Sequence, residues 1–517
     1  MSSTFFVLQN IPTLHLTMTH ISEQELLRRK KKEDLEALGI NPYPPELFTS
    51  TTNTHLILQD YPNSPEAFQN VKLAGRIMSR RIMGAASFVE LQDAKGKIQL
   101  YFHRDTLCKG EDKTLYNTVF KKLLDIGDLI GIAGYVFTTN VGEITIHVKA
   151  LTLLAKSLHP LPIVKEDENQ VYDAFTDLEQ RYRQRYVDLL ITPATRKIFH
   201  QRTQMIQVMR NYLNGHGYEE VETPILQPLY GGASARPFTT HHNTLDMKLY
   251  LRIAPELYLK RLIVGGYEGV YEIAKDFRNE GMSRFHNPEF TMLELYVAYK
   301  DYLWMMDFTE ALIEHIALQL HGTTQVTVDE QCIDFKRPWK RFTMYEAIAH
   351  YTGIDISQMG EAELRATAKQ LAIDIEPSAG VGKIIDEIFG AKCEPHLIQP
   401  TFITDYPVEM SPLAKKHRND SRLVERFEAI CNGKEICNAF SELNDPLEQR
   451  KRFEEQLALG KRGDTEAMVL DEDFLRALSY GMPPTAGVGI GIDRLAMIMT
   501  NAASIQEVIL FPQMRAV

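Results

Sequence analysis

The stretch FRNEGMSRFHNPEFTMLELY, from Phe277 to Tyr296, places several side chains that could do chemistry close together. Its first part offers a cation, Arg278, and its last part alternates in the manner of a strand. Because successive side chains of a strand point to opposite faces, Phe290, Glu294 and Tyr296 share one face. An aromatic ring stacks on planar groups, and a carboxylate with a hydroxyl binds an amine. This face therefore indicates a binding surface for a ligand that has both a planar group and an amine.

A second stretch, GVGIGIDRLAM, alternates Gly487, Gly489 and Gly491 with apolar residues. In a strand this pattern leaves one face bare, so a flat ligand can lie directly on the backbone. We expect Asp493 to cap a helix whose first turn carries Arg494, aimed at an anion by the helix dipole. Neither this stretch nor the GVGK segment upstream has the glycine spacing of the dinucleotide or P-loop motifs.

A third stretch, FEAICNGKEICNAFSELNDP, is predicted to form a hairpin, because Asn-Gly between apolar runs favours a two-residue turn. Such a turn makes Glu428 and Glu435 diagonal neighbours on one face, a pair suited to a divalent cation with oxygen ligands. Asn438, Phe440 and Glu442 share a parity that differs from that of Glu435. If all of them serve one site, a β-bulge must lie between Glu435 and Asn438.

The elements that must position these stretches fall into regions of different pattern. Short strands of period two from about residue 71 to 155, with one helix among them, predict a small closed barrel of the oligonucleotide-binding type. A proline-bearing, charged linker follows, and beyond it helices alternate with strands in one large α+β domain. We expect an extension with an amphipathic helix over 1–65, the barrel over 66–155, the linker over 156–193 and the large domain over 194–517.

Composition sets the outer bounds. A chain of 517 residues with 44% hydrophobic and 24% charged residues predicts a soluble globular protein of several domains. No run approaches the ~18 apolar residues of a membrane span, and no signal or transit peptide is expected. Five scattered cysteines favour a reducing compartment, so we expect a cytoplasmic protein. The net charge of −11 means that any nucleic-acid binding must rest on a local basic surface.

Three stretches, GYEEVETPIL, FRNEG…HNPEFTMLELY and GVGIGIDR, resemble in order and spacing the signature motifs of class II aminoacyl-tRNA synthetases. Within that class, GGASARPF, RIAPELYLKRL, PVEMSPLAK and NAFSELNDP look like the lysyl-tRNA synthetases of bacterial type. The resemblance runs from about Val71 to the C-terminus, and the segment before about Ser22 matches nothing in the family. It implies a catalytic domain built on an antiparallel sheet flanked by helices. It also implies that ATP and Mg²⁺ are used to activate L-lysine, which is then transferred to tRNA(Lys).

The resemblance further implies a role for each residue that matches a family motif. Arg278 would bridge the substrate carboxylate and the α-phosphate and, with Arg494, would be catalytic. Phe290 would stack on adenine, with Arg494 on the other face of adenine or at the γ-phosphate. Glu428 and Glu435 would hold Mg²⁺. The residues implied at ATP are Arg278, Glu280, His286, Asn287, Phe290, Glu428 and Arg494.

Lysine itself needs negative partners at both of its amines. By the same resemblance Glu442 and Tyr296 would meet the ε-ammonium. Glu256 and the carbonyl of Gly232 would meet the α-amine, with Glu294 between the two ends. A buried site tuned to a charged amine rejects neutral analogues, because its carboxylates would then be left unpaired. The residues implied at lysine are Gly232, Glu256, Arg278, Glu294, Tyr296, Asn438, Phe440 and Glu442.

The barrel is implied to bind the tRNA anticodon. Alternation places Phe88 on an outer face, and Gln99 can join it from the next strand. An exposed ring beside an amide, flanked by Arg76 and Arg80, suits bases that are stacked, hydrogen-bonded and held by their phosphates.

A homodimer is also expected. The helix that ends near Leu213 and the strand broken at Pro224 resemble the motif that builds the class II dimer. The apolar stripe of that helix needs burial somewhere. The stripe consists of Ile198, Met205, Ile206, Met209 and Leu213.

Three alternatives and one departure accompany this interpretation. An aspartyl or asparaginyl synthetase shares the architecture, but its substrate would want a cation rather than these carboxylates. A relative that lysylates an elongation factor would lack the barrel. A non-catalytic tRNA-binding relative would be expected to lose Arg278 or Arg494. Phe285 stands where bacterial relatives often carry a basic residue, with Arg284 one place earlier, so the group that meets the terminal phosphate stays open.

Overall fold

The computed structural model describes residues 21–162, 165–167, 170–172, 175–377, 379–461 and 468–516. The chain divides into two compact units, one up to Phe175 and one from Thr176 onward. The predicted extension before residue 21 lies outside the described residues. Within the described part of the chain, no helix is both long and apolar enough to cross a membrane.

The first unit contains a closed barrel with strand order β1-β2-β3-β5-β4, which confirms the predicted barrel. Its strands are β1 (Val71–Met83), β2 (Ala86–Gln92), β3 (Lys97–His103), β4 (Leu129–Thr138) and β5 (Ile144–Ala155), followed by the short pair β6 (Lys165–Asp167) and β7 (Gln170–Tyr172). Its helices are α1 (Glu23–Ala37), α2 (Thr54–Asp60) and α3 (Arg104–Leu107), with a 3-10 turn at Pro65–Phe68 and a π-helix at Leu115–Leu123. Side chains of β2 alternate as predicted, with Val89 and Leu91 buried and Phe88 half-buried on the outer face.

The helices before β1 belong to the core of this unit. Ser22 caps α1 by accepting a hydrogen bond from the backbone N–H of Glu25, and Gly39 follows the helix with a φ of +73°. Leu35 of α1 and Ile57 of α2 are fully buried in the same apolar cluster as the barrel interior. The described part of the predicted N-terminal extension is therefore packed onto the barrel rather than separate from it.

The second unit holds the large domain, which is α+β as predicted. Its helices are α4 (Leu178–Arg183), α5 (Arg185–Ile191), α6 (Pro193–Gly215), α7 (Glu256–Val264), α8 (Tyr302–His321), α9 (Met344–Thr352), α10 (Glu361–Gln370), α11 (Val381–Lys392), α12 (Pro446–Lys461), α13 (Glu472–Ser479), α14 (Ile492–Thr500) and α15 (Ile505–Val508). Its strands are β8 (Glu219–Glu220), β9 (Leu226–Gln227), β10 (Thr239–His242), β11 (Met247–Leu251), β12 (Gly269–Phe277), β13 (Glu289–Ala298), β14 (Gln325–Val328), β15 (Gln331–Asp334), β16 (Lys340–Thr343), β17 (Thr401–Pro407), β18 (Leu423–Cys431), β19 (Lys434–Ser441) and β20 (Thr485–Gly491). The main sheet runs β16-β17-β18-β19-β20-β13-β12-β8 and is antiparallel except at its two edges.

The helices α4 and α5, which fall in the segment predicted as a linker over 156–193, belong to the second compact unit. Arg185 of α5 is buried and donates to the carbonyl oxygens of Leu510 at 3.1 Å and Gln506 at 2.8 Å. It also pairs with Asp188 at 2.7 Å. A charged segment of a sequence is usually expected to be exposed to solvent. Here two backbone carbonyls and the carboxylate of Asp188 satisfy the guanidinium of Arg185, and the carbonyls belong to the C-terminal part of the chain.

The apolar stripe of α6 is buried within the chain itself. Met205, Met209 and Leu213 are fully buried in the cluster that includes side chains of α8 and α14, and Ile198 and Ile206 pack against that cluster. The predicted burial of this stripe is therefore confirmed, and because other elements of the same unit cover it, the stripe by itself does not indicate a partner subunit.

Asp493 does not cap α14, which corrects a second expectation. The N-cap is Gly491, without a side-chain hydrogen bond. The carboxylate of Asp493 instead accepts from the backbone N–H of Thr291 at 2.7 Å and from the guanidinium of Arg202 at 2.6 Å. It thereby ties α14 to β13 and α6, while Arg494 lies in the first turn as predicted.

Candidate active site

The hairpin of β18 and β19 contains both the turn and the bulge that the sequence predicted. Asn432 and Gly433 have φ values of +52° and +67°, which suits the two-residue turn between paired strands. The register shifts between Ala429 and Ile430, so that Ile436 is the extra residue of β19. The bulge changes the parity of the strand and brings the side chains on either side of it to one site.

Cross-strand pairing arranges the central residues in rows across β19, β20 and β13. A Cβ added at Gly487 would collide with Glu442 and Tyr296, and one at Gly489 would lie 2.9 Å from Oε1 of Glu294. The glycines therefore leave room for side chains of this chain, which lie over Gly487 and Gly489, whereas a Cβ at Gly491 would meet nothing nearer than 3.7 Å. The rows are Phe440–Gly487–Tyr296 and Asn438–Gly489–Glu294.

One cavity of about 380 Å³ brings the predicted residues together. Every residue predicted at ATP, lysine or Mg²⁺ lines it, although their individual roles stay predictions. They are Gly232, Glu256, Arg278, Glu280, His286, Asn287, Phe290, Glu294, Tyr296, Glu428, Glu435, Asn438, Phe440, Glu442 and Arg494.

The end of the cavity near Gly487 is rich in buried acid groups. Glu256, Glu294 and Glu442 are 5%, 8% and 1% exposed. The hydroxyl of Tyr296 donates to Oε2 of Glu294 at 3.0 Å. Burial raises the pKa of Glu294 to about 8, with help from the negative charges of neighbouring carboxylates. These carboxyl groups and the Tyr296 hydroxyl can accept hydrogen bonds from a ligand's ammonium group, whereas the carboxylates would repel an anionic ligand.

Two cations beside these acids were missed in the sequence. The ammonium of Lys260, on α7, contacts both Glu256 and Glu442 and is fully buried. Arg426, on β18, donates to Oδ1 of Asn438 at 3.0 Å. A lysine in a helical run normally indicates a solvated face, so its burial carried no signal. The parity of β18 does place Arg426 beside Glu428, and that signal was available.

The other end of the cavity holds cationic and aromatic groups. Arg494 donates to Oε2 of Glu435 at 3.1 Å and lies 3.0 Å from Nε2 of His286. The guanidinium of Arg278 lies 5.0 Å from the centre of the Phe290 ring, and its Nε is buried without a hydrogen-bond partner among the described residues. Burial, with the charge of Arg494, lowers the pKa of His286. These groups suit a purine with phosphates.

Glu428 and Glu435 fit the donor set that Mg²⁺ uses. Each carboxylate pairs with an arginine, since Arg426 lies 2.6 Å from Glu428 and Arg494 lies 3.1 Å from Glu435. Burial raises the pKa of Glu428 to about 7, and Arg426 opposes it. In the described residues no group of three or more metal-ligating side chains occurs. Mg²⁺ commonly takes one or two carboxylates and completes its shell with phosphates and water, so this pair fits it.

The outer face of the barrel carries more rings than the sequence analysis assigned. Phe88 packs beside Tyr101, with ring centres 5.2 Å apart, and Gln99 donates to the hydroxyl of Thr145 at 2.9 Å. Alternation along β3 places Tyr101 on the face of Gln99, which was a usable signal. Further rings in contact with Tyr101 are His103, Phe137 and His147.

The two arginines predicted beside this face are partly used inside the unit. Arg76 donates to the carbonyl of Gly127 at 2.6 Å. Arg80 donates to the carbonyls of Phe120 at 3.1 Å and Lys121 at 2.7 Å. These bonds occupy donors that a phosphate would otherwise receive, so Phe88 and Gln99 are the stronger candidates of the predicted set.

Comparison with known proteins agrees with both units. Residues 177–515 match the family tRNA synthetases class II (D, K and N), and residues 71–154 match the OB-fold nucleic acid binding domain. A Lysine--tRNA ligase of Porphyromonas gingivalis is 59% identical over 97% of this chain and 87% of its own length. Those of Christiangramia forsetii and Azobacteroides pseudotrichonymphae are 60% and 57% identical over 96% of this chain, and over 87% and 99% of their own lengths. The chain therefore belongs to the lysine–tRNA ligase family of class II tRNA synthetases.

Proposed function

We propose that this cavity activates L-lysine with ATP and that the lysyl group is then passed to the 3′ end of tRNA(Lys). The observation that carries the proposal is the order of groups along the glycine strand. Buried carboxylates lie across Gly487 and Gly489, whereas Arg494 lies next to Gly491. Four residues of strand span about 13 Å, which suits an amino acid joined to a nucleotide.

The first reaction needs positioning and charge stabilisation more than covalent help from the protein. The lysine carboxylate oxygen attacks the α-phosphorus, the bond between that phosphorus and the bridging oxygen breaks, and pyrophosphate leaves. Arg278 would stabilise the charge that builds on the α-phosphate. Phe290 would stack on adenine, with Glu280, His286 and Asn287 around the nucleotide.

Mg²⁺ would be held by Glu428 and Glu435. When bound, it neutralises phosphate charge and orients the leaving group. Arg494 would meet the terminal phosphate. Its ion pair with Glu435 would then join a metal ligand to the group that contacts this phosphate. Since Phe285 brings no charge, Arg494 is our choice for this contact.

The lysine end distinguishes this proposal from its nearest rival. The matched family also covers aspartate and asparagine enzymes. Glu442 and Tyr296 would receive the ε-ammonium, Glu256 with Gly232 would receive the α-amine, and Asn438 would meet the carboxylate. An aspartate side chain would instead lie against the carboxyl groups of Glu442 and Glu294, which supply no positive charge to pair with it.

In the second reaction a hydroxyl oxygen of the terminal ribose attacks the carbonyl carbon of lysyl-adenylate. The bond between that carbon and the phosphate oxygen breaks, and AMP leaves with this oxygen. The barrel would bind the anticodon through Phe88 and Gln99, supported by Arg76 and Arg80. We further propose a homodimer, because Ile225, Leu226 and Leu229 are between 42% and 50% exposed. A cytoplasmic location fits the five free cysteines.

Charging of a tRNA(Lys) transcript tests the complete proposal. With labelled lysine, ATP and Mg²⁺, the protein should produce lysyl-tRNA, and a transcript of tRNA(Asp) with labelled aspartate should stay uncharged. Charging of aspartate or asparagine, with none of lysine, would contradict the proposal.

A further inference from the structure

Lys260 is a cation of the chain placed where the substrate's own cation must bind. Its side chain is fully buried, and its ammonium contacts Glu256, one helical turn before it on α7, and Glu442, which follows β19. The ammonium also lies 5.4 Å from the centre of the Phe440 ring. All three neighbours line the cavity, whereas Lys260 lies behind them.

The two carboxylate oxygens of Glu442 have different surroundings, because only one of them contacts Lys260. Lys260 contacts Oε2. Oε1 is the atom that a Cβ at Gly487 would strike, so it faces the bare glycine strand and the cavity. A carboxylate fixed in this way presents one free oxygen in a defined direction, which a long flexible ligand such as lysine requires.

The charges around this contact come from several elements. Glu256 and Lys260 project from α7, and Glu294 and Tyr296 project from β13. Arg426, on β18, adds a positive charge that acts on Glu256. Burial raises the pKa of Glu442 well above its usual value, and Lys260 opposes this rise. Burial lowers the pKa of Lys260, but the two carboxylates outweigh it and raise that pKa. Because the single ammonium of Lys260 is shared by two carboxylates, these carboxylates can pair with a second ammonium.

We propose that Lys260 is a positioning residue for lysine recognition, which holds Glu442 by one oxygen and leaves the other to receive the substrate ε-ammonium. This inference rests on the proposed function. Without the ammonium of Lys260, Glu442 would take up a proton more readily and would lose its fixed direction. The substrate would then meet a neutral, mobile acid instead of a directed carboxylate.

The test is lysine-dependent pyrophosphate exchange by Lys260→Met, which keeps the length of the side chain and removes its charge. We expect the KM for lysine to rise about ten-fold or more, because truncating one member of a buried charge pair disturbs the charge and the direction of its partner. The KM for ATP should stay within about two-fold of the parent value, because the contact lies at the lysine end. The lysine KM of the variant should also fall more steeply than that of the parent as pH rises, because alkali restores the Glu442 charge.

Two comparisons separate positioning from general damage. Lys156 is a matched control, because it is equally buried and bridges Asp125 at 2.6 Å and Asp128 at 2.9 Å in the first unit. Lys156→Met should lower the melting temperature without changing the KM for lysine. In a Glu442→Gln background, Lys260→Met should add less than about three-fold, because residues that act through one contact are not additive.

An unchanged lysine KM in Lys260→Met would overturn the inference, as would equal losses for lysine and ATP or full additivity with Glu442→Gln. If Lys260→Met does not fold, Lys260→Arg decides, because it keeps the charge and displaces it. A raised lysine KM with the parental pH profile supports the inference, and an unchanged KM overturns it. If the parent protein itself uses another amino acid, the proposed function fails instead.

Discussion

Buried acid groups dominate the site at the scale of single residues. Glu442 is 1% exposed and Glu294 is 8% exposed, and both line the cavity. A carboxylate removed from water is unstable in its charged form unless a cation or hydrogen-bond donors satisfy it. Lys260 and Tyr296 supply part of that need. The remainder is a demand for positive charge, which a lysine substrate meets.

Replacing Glu442 by glutamine tests this demand directly. Loss of a charged hydrogen bond to a desolvated ammonium costs on the order of 2–5 kcal/mol. Glu442→Gln should therefore raise the KM for lysine strongly in pyrophosphate exchange and leave the KM for ATP nearly unchanged. Glu310→Gln is a matched control, since Glu310 is also buried but accepts from the backbone N–H of Trp339 outside the cavity. Normal lysine use by Glu442→Gln would transfer the role to Glu294.

The raised pKa of Glu294 predicts a particular dependence of stability on pH. Burial raises the pKa of Glu294 so that its carboxyl keeps a proton in the folded protein up to a pH of about 8, whereas the unfolded chain releases it near the ordinary pKa of 4.5. Because the folded state then binds more protons, this group lowers stability as pH rises through that window. Glu294→Gln removes this titration. The melting temperature of the variant minus that of the parent should therefore increase by a few degrees as pH rises from about 5 to 8, at roughly 2–4 °C per kcal/mol. Parallel melting curves across this range would contradict the prediction.

At the scale of elements, β20 is the floor of the site and its glycines are graded by the space above them. A Cβ at Gly487 would strike Glu442 and Tyr296, one at Gly489 would lie 2.9 Å from Glu294, and one at Gly491 has nothing nearer than 3.7 Å. We expect Gly487→Ala to lose most lysine-dependent exchange, Gly489→Ala to lose less and Gly491→Ala to keep most of it. Folding is checked by circular dichroism. An equal effect at all three positions would show that the glycines serve strand packing alone.

The outer face of the barrel makes a separate prediction. Stacking is worth about 1–3 kcal/mol per base, so Phe88→Ala should lower kcat/KM for tRNA between about five-fold and a hundred-fold. Formation of lysyl-adenylate, measured by pyrophosphate exchange, should stay at the parent level. Leu47→Ala, at a side chain that is 92% exposed in the same unit, serves as the control. Equal losses in both reactions, or unchanged charging, would remove this face from the tRNA site.

The elements differ in how far the sequence revealed them. The strands around Phe290 and Gly489 were predictable, because alternation shows which side chains share a face, and the bulge at Ile436 followed from a conflict of parities. Asp493 was misjudged, because whether an acid caps its own helix or bonds another element depends on the neighbouring chain. Lys260 was invisible for the same reason, since only tertiary packing places its ammonium between two acids.

At the scale of the whole molecule, the open point is association. The stripe of α6 is covered within the chain, whereas Ile225, Leu226 and Leu229 are exposed and would be covered in a homodimer. Light scattering at micromolar concentration should give about twice the chain mass of 59.2 kDa. The pair Leu226→Arg and Leu229→Arg should reduce it to one chain mass and weaken activity. A parent protein that is monomeric and fully active would contradict the homodimer.

The central claim is that the acid-rich end of the cavity selects lysine. Pyrophosphate exchange with ATP and Mg²⁺, assayed separately with each of the standard amino acids, tests it most directly, because the assay needs no tRNA and reads only the cavity. We expect exchange with lysine far above that with every other amino acid, and almost none with aspartate, asparagine or the neutral lysine isosteres. Exchange led by aspartate or asparagine, or exchange absent with lysine in a folded protein that binds ATP, would contradict it.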